Sequence, residues 1–236
     1  MATLLQLVQD AATELSLNSP GVVVSSQDQD VRQLLALANA AGLDLVKAWN
    51  WQWLLNEYTF VTTTATQYAL PADYDRLVND AQWDRTSRWP GIGPTSSQTW
   101  AWLKGQLIAS VPRYRFRILG NQFTVYPAPS SGRTYAFEYV SKNWIVGADG
   151  VTYKSRFSAD DDVHRYDDRL MVCLLKAKYL AAKGLDSTIV QTEFIERLEL
   201  CKAHDQAAPK LSLGPQIIDP LLGMQNIVDG NWTLSP

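Results

Sequence analysis

The stretch SQDQDVRQLLALANAAGLDLVKAW, residues 26–49, carries a helical pattern through about six turns. The spacing of Ser26 and Gln29 is that of a capping box, which predicts that the helix begins there. Its apolar residues recur every three or four positions, as on one face of an α-helix: Val31, Leu34, Leu35, Ala38, Leu45, Val46 and Trp49. The sequence therefore predicts an amphipathic helix that buries this face.

Two shorter helical patterns lie on either side of this stretch. From Thr3 to Leu15 the apolar residues form one stripe, and Thr3 is placed to cap the helix. The sequence TSSQ at residues 95–98 repeats the capping-box spacing, which predicts a further helix of about three turns.

A pair of helices is predicted near the C-terminus. Leu170, Leu174 and Ala177 lie on one helical face, and Gly184 is placed as a C-cap glycine. Ser187 can cap a second helix, whose apolar residues are Val190, Phe194, Leu198 and Cys201. We expect these two helices to form an antiparallel hairpin.

The segments between the helices alternate polar with aromatic or β-branched residues, as strands do. Residues 58–62 and 67–70 flank a short turn and are predicted to pair as a hairpin. Strands at 114–118 and 123–126 are joined through Gly120 and Asn121, which predicts a second hairpin, and the same alternation continues at Tyr135, Phe137 and Tyr139. A small antiparallel sheet is the expected result.

The predicted fold class is α+β. The N-terminal helices and the C-terminal helical hairpin form a helical bundle, with an inserted small antiparallel β region and an extended C-terminal arm. Glycines and an acidic run predict a loop excursion on the surface between the β region and the hairpin. The N-terminal helices are predicted at residues 1–56 and the β-rich region with one short helix at residues 57–141. The loop excursion is predicted at residues 142–165, the helical hairpin at 166–207 and the docking arm at 208–236.

Composition excludes several classes of protein. The 236 residues are 46% hydrophobic and carry a formal net charge of -3, so the chain should fold and lacks the basic surplus of a general nucleic-acid binder. Cys173 and Cys201 lack CxxC spacing, and His164 and His204 lie far apart, which argues against structural zinc and a disulfide scaffold. No signal peptide or apolar run of ~20 residues is present, so we expect a cytoplasmic chain without a membrane partner.

Candidate catalytic residues are few. A group of carboxylates just before the predicted hairpin could provide an acid and a base, although the helix dipole favours acidic residues there in any case. We expect His164 to be an exposed loop residue, because no Ser or Cys lies in a nucleophile elbow. No glycine pattern forms a phosphate-binding loop, and nothing requires a cofactor. The candidate carboxylates are those of Asp160, Asp161, Asp162, Asp167 and Asp168.

A positive stripe is predicted on one strand. Arg113, Arg115 and Arg117 alternate with Tyr114 and Phe116, so the guanidinium groups share one face while the aromatic rings face the core. The stripe could contact a phosphate backbone, or it could pair with acidic residues of a neighbouring strand or subunit. The nine tryptophans are many for this length, and Trp is favoured in cores and at interfaces alike.

The C-terminal segment, residues 209–236, combines prolines and glycines that exclude a long helix with large apolar residues that disordered tails usually lack. These side chains either fold back over the chain's own helices or dock on a neighbouring subunit or another protein. The candidate docking residues are Leu211, Leu213, Ile217, Ile218, Leu221, Leu222, Met224, Ile227 and Trp232.

The segment LPADYDRLVNDAQWDRTSRWP, residues 70–90, resembles a signature of bacteriophage head-to-tail adaptor proteins, which bind beneath the portal in tailed phages. Shorter stretches resemble the same family in the same order, so the resemblance covers about residues 1–207. They lie at residues 3–6, 34–39, 52–54, 116–118, 125–127, 137–139 and 182–186.

The resemblance implies a structural virion protein of tailed, and more specifically short-tailed, phages, and not an enzyme. Neighbouring adaptor subunits would form a homo-oligomeric ring of about twelve, a dodecamer, between the portal protein and the tail nozzle protein. Packaged DNA would pass through the channel that this ring extends. The protein would assemble in the host cytoplasm and end in the neck of the virion, with the C-terminal arm reaching the portal.

Within the signature, Asp73 and Asp75 are placed to bond nearby backbone in a turn, and Asp84-Arg85 with Arg88 offers ion pairing. Trp83 and Trp89 would anchor the segment by burial. These residues either hold the subunit together or contact a neighbouring subunit. The candidates are Asp73, Tyr74, Arg76, Asp80, Trp83, Asp84, Arg85, Arg88 and Trp89, with Arg113, Arg115 and Arg117 as possible contacts to DNA or to an interface.

Two other functions remain open. One is a single-stranded nucleic-acid-binding module that uses the arginine stripe and its neighbouring aromatic residues. The other is a carboxylate-dependent hydrolase that uses the acidic residues between Asp160 and Asp168.

Overall fold

The structure is a computed structural model that describes residues 1–78, 81–105 and 113–205. These residues belong to one compact unit with five α-helices and eleven strands. The helices are α1 (Leu4–Glu14), α2 (Gln29–Ala48), α3 (Ser97–Gly105), α4 (Asp168–Ala182) and α5 (Thr188–Asp205), with a short 3-10 turn at Gln52–Leu54. The strands are β1 (Leu55–Val61), β2 (Gln67–Ala69), β3 (Tyr74–Leu77), β4 (Trp83–Asp84), β5 (Trp89–Pro90), β6 (Arg115–Leu119), β7 (Gln122–Tyr126), β8 (Thr134–Ser141), β9 (Ile145–Val146), β10 (Tyr153–Lys154) and β11 (Val163–His164).

The prediction of a fold dominated by a helical bundle is wrong. The strands form three antiparallel sheets, one with five strands and two with three, so β structure is not a small insertion. Strands of two residues carry no readable alternation, because one alternation needs several positions to repeat. The sequence pattern therefore missed much of the sheet structure.

Strand β8 organises the largest sheet. It pairs with β1, β3 and β4, and β4 in turn pairs with β5. The predicted hairpin of residues 58–62 and 67–70 is wrong, because β1 pairs with β8 whereas β2 pairs with β7 in another sheet. Alternation identifies a strand, but it does not identify the strand's partner.

The predicted β6–β7 hairpin is confirmed. Leu119 lies opposite Gln122, and the two turn residues between them, Gly120 and Asn121, have φ angles of 57° and 59°. Positive φ at both positions is the requirement of a type I′ turn, which Gly and Asn satisfy at low cost.

The prediction of a surface loop at residues 142–165 is also wrong. This segment forms the sheet β10–β9–β11, and Trp144, Ile145 and His164 are completely buried in it. Its glycines and acidic residues resemble those of a loop because they form the turns between strands of two residues. The segment is part of the helical core and packs against α2.

The helical core contains the buried faces of α1, α2 and α4. The predicted cap of α1 is confirmed, since Thr3 and Gln6 form a capping box. The cap of α2 is Asp28 and not Ser26, because the Asp28 side chain accepts a hydrogen bond from the Asp30 N–H at 2.9 Å. The expected glycine cap of α4 is confirmed at Gly184, where φ is +71°.

A second core consists of aromatic residues on the strands. The rings of Phe116, Phe123 and Phe137 stack in series, with centroid separations of 4.9 Å and 5.1 Å. Phe123 on β7 and Phe137 on β8 belong to different sheets, so this stack joins the two. The sheet carrying the signature residues is thereby fixed against the β6–β7 hairpin that carries the arginines.

Candidate functional site

The residues of the 70–90 signature lie along the β8 sheet, where they form β3, β4 and β5. Asp73, just before β3, accepts hydrogen bonds from the Tyr139 hydroxyl at 2.9 Å and from the Ser141 hydroxyl at 2.7 Å. The prediction that Asp73 bonds turn backbone is therefore wrong. Burial, together with the hydrogen bond to Asp73, raises the pKa of Tyr139 to about 12, so this hydroxyl stays a donor. Asp73 thus holds β3 to the end of β8.

Arg76 connects β3 to the C-terminal end of α2. Its guanidinium donates to the Trp49 carbonyl at 2.6 Å and to the Asn50 side chain, and it also pairs with Asp75. Asp75 pairs in addition with Lys47, so its partners are side chains and not the turn backbone that the sequence predicted. Tyr74 packs its ring 5.9 Å from that of Tyr139. These contacts hold β3 against β8 and against the end of α2.

The second half of the signature does not form the predicted ion pairs. Asp84 is buried and pairs with Arg133 at 3.1 Å, while Arg85 pairs with Glu57 on β1. Arg88 makes no ion pair within the described residues, and its side chain is exposed. Asp80 lies outside the described residues.

The two signature tryptophans have different surroundings. Trp83 is half-buried on β4 opposite Ala136 of β8, whereas Trp89 is 40% exposed. The prediction that both anchor the segment by burial is therefore wrong for Trp89. The guanidinium of Arg113 lies 5.2 Å from the centre of the Trp89 ring, a cation–π contact that orients both side chains.

The arginine stripe has the predicted orientation. Tyr114 and Phe116 are buried, while Arg115 and Arg117 are partly exposed, and Arg117 donates to Ser97 at 2.8 Å. In residues 1–78, 81–105 and 113–205, none of these arginines has a carboxylate partner. We define the arginine–tryptophan surface as Arg88, Trp89, Arg113, Arg115 and Arg117.

A cavity of about 340 Å³ opens beside this surface. It is lined on one side by Trp89 and Arg113 and on the other by the sequence Pro-Ala-Pro at residues 127–129. Asp84, Ser130 and Arg133 also line it, so the cavity combines apolar and charged walls. Such a mixed cavity is suited to a side chain of a partner protein.

Helix α5 provides a second exposed surface, which the sequence patterns did not identify. The helix has 18 residues and none of them is buried. Its predicted stripe packs only partly on the helical core, through Phe194, Leu198 and Cys201. The signal that could have revealed this surface is the set of apolar residues outside that stripe. We define the outer face of α5 as Ile189, Ile195, Glu196, Glu199 and Leu200.

Four of the five acidic residues proposed for hydrolysis have structural partners, and the fifth, Asp161, is exposed. Asp160 accepts hydrogen bonds from the Val23 and Val24 backbone at 3.1 Å and 2.7 Å, and Asp167 caps α4 by accepting from the Leu170 N–H at 2.9 Å. The role of Asp167 agrees with the helix-dipole interpretation. Asp162 is completely buried and accepts hydrogen bonds from two backbone N–H groups, so its carboxylate also has a structural role.

The structure also shows the surroundings of the histidine and cysteine side chains considered for catalysis or metal binding. His164 is completely buried, so the prediction of an exposed loop histidine is wrong. Cys173 and Cys201 are free thiols. The part of the chain that the structure describes contains no cluster of three or more potential metal ligands. None of the helices described is long and apolar enough to cross a membrane.

Comparison with known families supports one of the functions that the sequence left open. Residues 2–210 match the family described as SU10 adaptor protein. The chain belongs to the SU10 adaptor protein family. The resemblance to phage head-to-tail adaptors is thereby confirmed over nearly the whole chain, and the protein is a structural adaptor of a phage. No curated protein matches the sequence.

The extent of the SU10 adaptor match bears on the candidate residues. It includes the signature, the arginine–tryptophan surface and α5, but it ends at residue 210. All nine candidate docking residues of the C-terminal arm, from Leu211 to Trp232, therefore lie beyond it, and they lie outside the described residues as well.

Proposed function

We propose that this SU10 adaptor is the head-to-tail adaptor subunit that forms a ring beneath the portal protein. The ring is a dodecamer that extends the channel for packaged DNA and provides the attachment site for the tail nozzle protein. The observation that carries this proposal is the family match over residues 2–210. In the virion the protein then lies at the neck.

The geometry of the candidate residues supports an assembly role. The arginine–tryptophan surface and the outer face of α5 expose large apolar and charged side chains, and such surfaces are typical of protein interfaces. The acidic residues, in contrast, are used in capping and in buried hydrogen bonds. We therefore propose that the protein works without catalytic turnover.

We further propose that the arm, residues 208–236, binds the portal protein. Its composition supports this, since its prolines disfavour helix while its large apolar residues need cover. Burying one such side chain is worth roughly 1.5–3 kcal/mol, so a few of them offset the ordering cost of the arm. A ring repeats the arm once per subunit, and this repetition raises the overall affinity through avidity.

Assembly should depend on the portal as a template. We propose that the arm pays an ordering cost on docking, so isolated subunits should be mainly monomeric at micromolar concentration. Sedimentation velocity of the chain alone and mixed with the portal protein of the same phage tests this proposal. A discrete large complex only in the mixture is expected, and a stable ring without portal would contradict template-dependent assembly.

Deletion of residues 209–236 tests the arm separately. The truncated chain should unfold at nearly the same temperature as the full chain, because the buried faces of the helices lie before residue 206. It should no longer co-sediment with the portal. A large fall in melting temperature would assign the arm to its own subunit's core, and full portal binding would show that the arm is not the attachment site.

A further inference from the structure

The outer face of α5 leaves large apolar side chains in solvent. The exposed fractions of Ile189, Ile195 and Leu200 are 82%, 56% and 53%. Next to Ile195, a groove between α4 and α5 is lined mainly by Leu174, Ala177, Ala181 and Phe194. Large exposed apolar side chains beside an apolar groove are typical of a contact site for another protein.

Contacts on the other side of α5, and not its outer face, hold the helix on the subunit. Glu193 pairs with Arg169 at 2.5 Å, and Arg197 pairs with Asp167 at 3.0 Å, so charged contacts link α5 to α4 at two points. Half-buried Phe194, on the inner side of the helix, adds apolar contact. The outer face is therefore displayed on a helix that the subunit already holds in place.

The charges on this face restrict what can cover it. Glu196 and Glu199 lie among the apolar residues of the outer face. Glu199 pairs with Lys202 at 2.8 Å, whereas Glu196 has no ion-pair partner within the described ranges, so this face carries one uncompensated negative charge. A two-fold contact of α5 with α5 of a second copy would place these carboxylates near one another, which is unfavourable. The complement is a surface that offers both apolar area and positive charge.

The same chain presents such a surface elsewhere. Arg113 lies over the exposed ring of Trp89, Arg88 precedes Trp89 in the chain, and Arg115 and Arg117 follow Arg113, on β6. None of these arginines has a carboxylate partner in the part of the chain described. The Nε atom of Arg115 is buried and lacks a hydrogen-bond partner among those residues. Beside Trp89 lies the cavity of about 340 Å³, with room for a side chain of the neighbouring copy.

We propose that the outer face of α5 in one subunit docks on the arginine–tryptophan surface of the next copy. This inference rests on the proposed ring and names the two surfaces that meet in it. The surfaces belong to different cores, since α5 packs on the helical core and the arginines flank the aromatic core. The contact is therefore heterologous, as a ring of identical subunits requires.

The arginines also match the chemistry of a phosphate backbone, but the observations favour a protein partner. Trp89 exposes apolar area, the chain as a whole carries a net charge of -3, and the acidic, apolar α5 face needs a positive, apolar partner. One contact between copies satisfies both surfaces at once, whereas DNA would leave α5 uncovered.

Paired charge reversals test the proposal on full-length chains assembled on the portal protein. One variant carries Glu196→Lys and Glu199→Lys, and the other carries Arg88→Glu and Arg113→Glu. In a ring made of either variant alone, every contact brings together two surfaces of the same charge. We therefore expect at least about tenfold less adaptor bound per portal, which corresponds to about 1.4 kcal/mol per contact. An equal mixture alternates opposite charges around the ring, so occupancy should recover.

Matched controls separate loss of assembly from loss of folding. Asp10→Lys reverses an exposed carboxylate on α1, outside both surfaces, and Val151→Asp places a charge at a side chain that is 76% exposed. Ile189→Asp makes the corresponding change on α5. The controls should assemble like wild type and Ile189→Asp should not, while all the variants keep the wild-type melting temperature.

The remaining outcomes each overturn a specific statement. Wild-type chains that fail to assemble on the portal contradict the proposed function. If wild type assembles and both reversed variants do too, only the present inference is wrong. Loss of all portal binding in the α5 variant, without recovery in the mixture, would assign α5 to the portal. Normal assembly with weaker binding of a single-stranded oligonucleotide in the arginine variant would assign that surface to nucleic acid.

Discussion

The indole ring of Trp144 packs directly on Gly42, in the middle of α2. A Cβ atom at position 42 would overlap three carbon atoms of the ring, so only glycine permits this approach. Trp144 is completely buried, and its Nε1 donates to the Ser155 carbonyl at 3.0 Å. The contact fixes the β9–β11 sheet against the helical core.

Replacement of Gly42 by Ala should therefore destabilise the protein. In an ordinary helix interior this change stabilises by roughly 1 kcal/mol, but forcing a methyl group into a packed core costs on the order of 1–3 kcal/mol or more. We expect a lower free energy of unfolding in urea titration. Gly21→Ala is the control, because nothing lies within 4 Å of a Cβ there. Equal stabilities of the two variants would contradict the close approach.

Asp162→Asn should be strongly destabilising. The Asp162 carboxylate accepts hydrogen bonds from Lys154, from the Ser158 N–H and from the Ala159 N–H, each at 2.8–2.9 Å. The amide that replaces the carboxylate carries no charge to pair with Lys154 and has one acceptor oxygen fewer for these buried donors. We expect the free energy of unfolding to fall by on the order of 3 kcal/mol. Asp161→Asn, at an exposed neighbour, should change stability by no more than about 0.5 kcal/mol. Chemical denaturation at neutral pH measures both values.

The same site predicts a loss of stability in acid. Burial raises the pKa of Asp162, but the hydrogen bonds from Lys154 and the backbone outweigh it, so the pKa lies below its usual value. The stabilisation is present above about pH 4, the usual carboxyl range, and is lost as the pH falls through the lower, folded-state pKa. Asp162→Asn should lack this part of the acid transition.

His164 predicts a second pH effect at higher pH. Burial lowers the pKa of its imidazole below the ordinary value of 6.5, with Asp168 opposing the shift. The unfolded state then binds the proton more readily, so stability declines as the pH falls through about 6.5 and levels off below the folded-state pKa. Melting temperatures at pH 7.5 and 5.0 should differ less in His164→Phe than in wild type. His204→Ala, at an exposed histidine, should keep the wild-type difference.

The two halves of the signature should respond differently to substitution. Asp73→Ala removes the acceptor of two side-chain hydrogen bonds and should cost about 1–3 kcal/mol of stability. Arg88→Ala removes an exposed side chain without an ion pair in the described residues, so its melting temperature should stay unchanged while assembly on the portal weakens. A stable Asp73 variant, or an Arg88 variant with normal assembly, would contradict this division.

Local sequence signals correctly predicted the elements whose cause is local. The Thr3 cap, the α2 stripe, the Gly120–Asn121 turn and the Gly184 cap each depend on residues within a few positions of one another. The burial of Phe116 between exposed arginines follows from strand alternation in the same way. Family resemblance in the 70–90 segment correctly indicated a phage adaptor.

Only the tertiary structure determined which strands pair and which surfaces remain exposed. The pairing of β1 with β8, and the burial of His164 and Asp162, depend on residues distant in sequence. Likewise, the exposure of Trp89 and of the outer face of α5 depends on which neighbours fail to cover them. The physical reason is that hydrophobic periodicity reports a residue's preference for burial, whereas burial itself requires a partner that the local sequence does not specify.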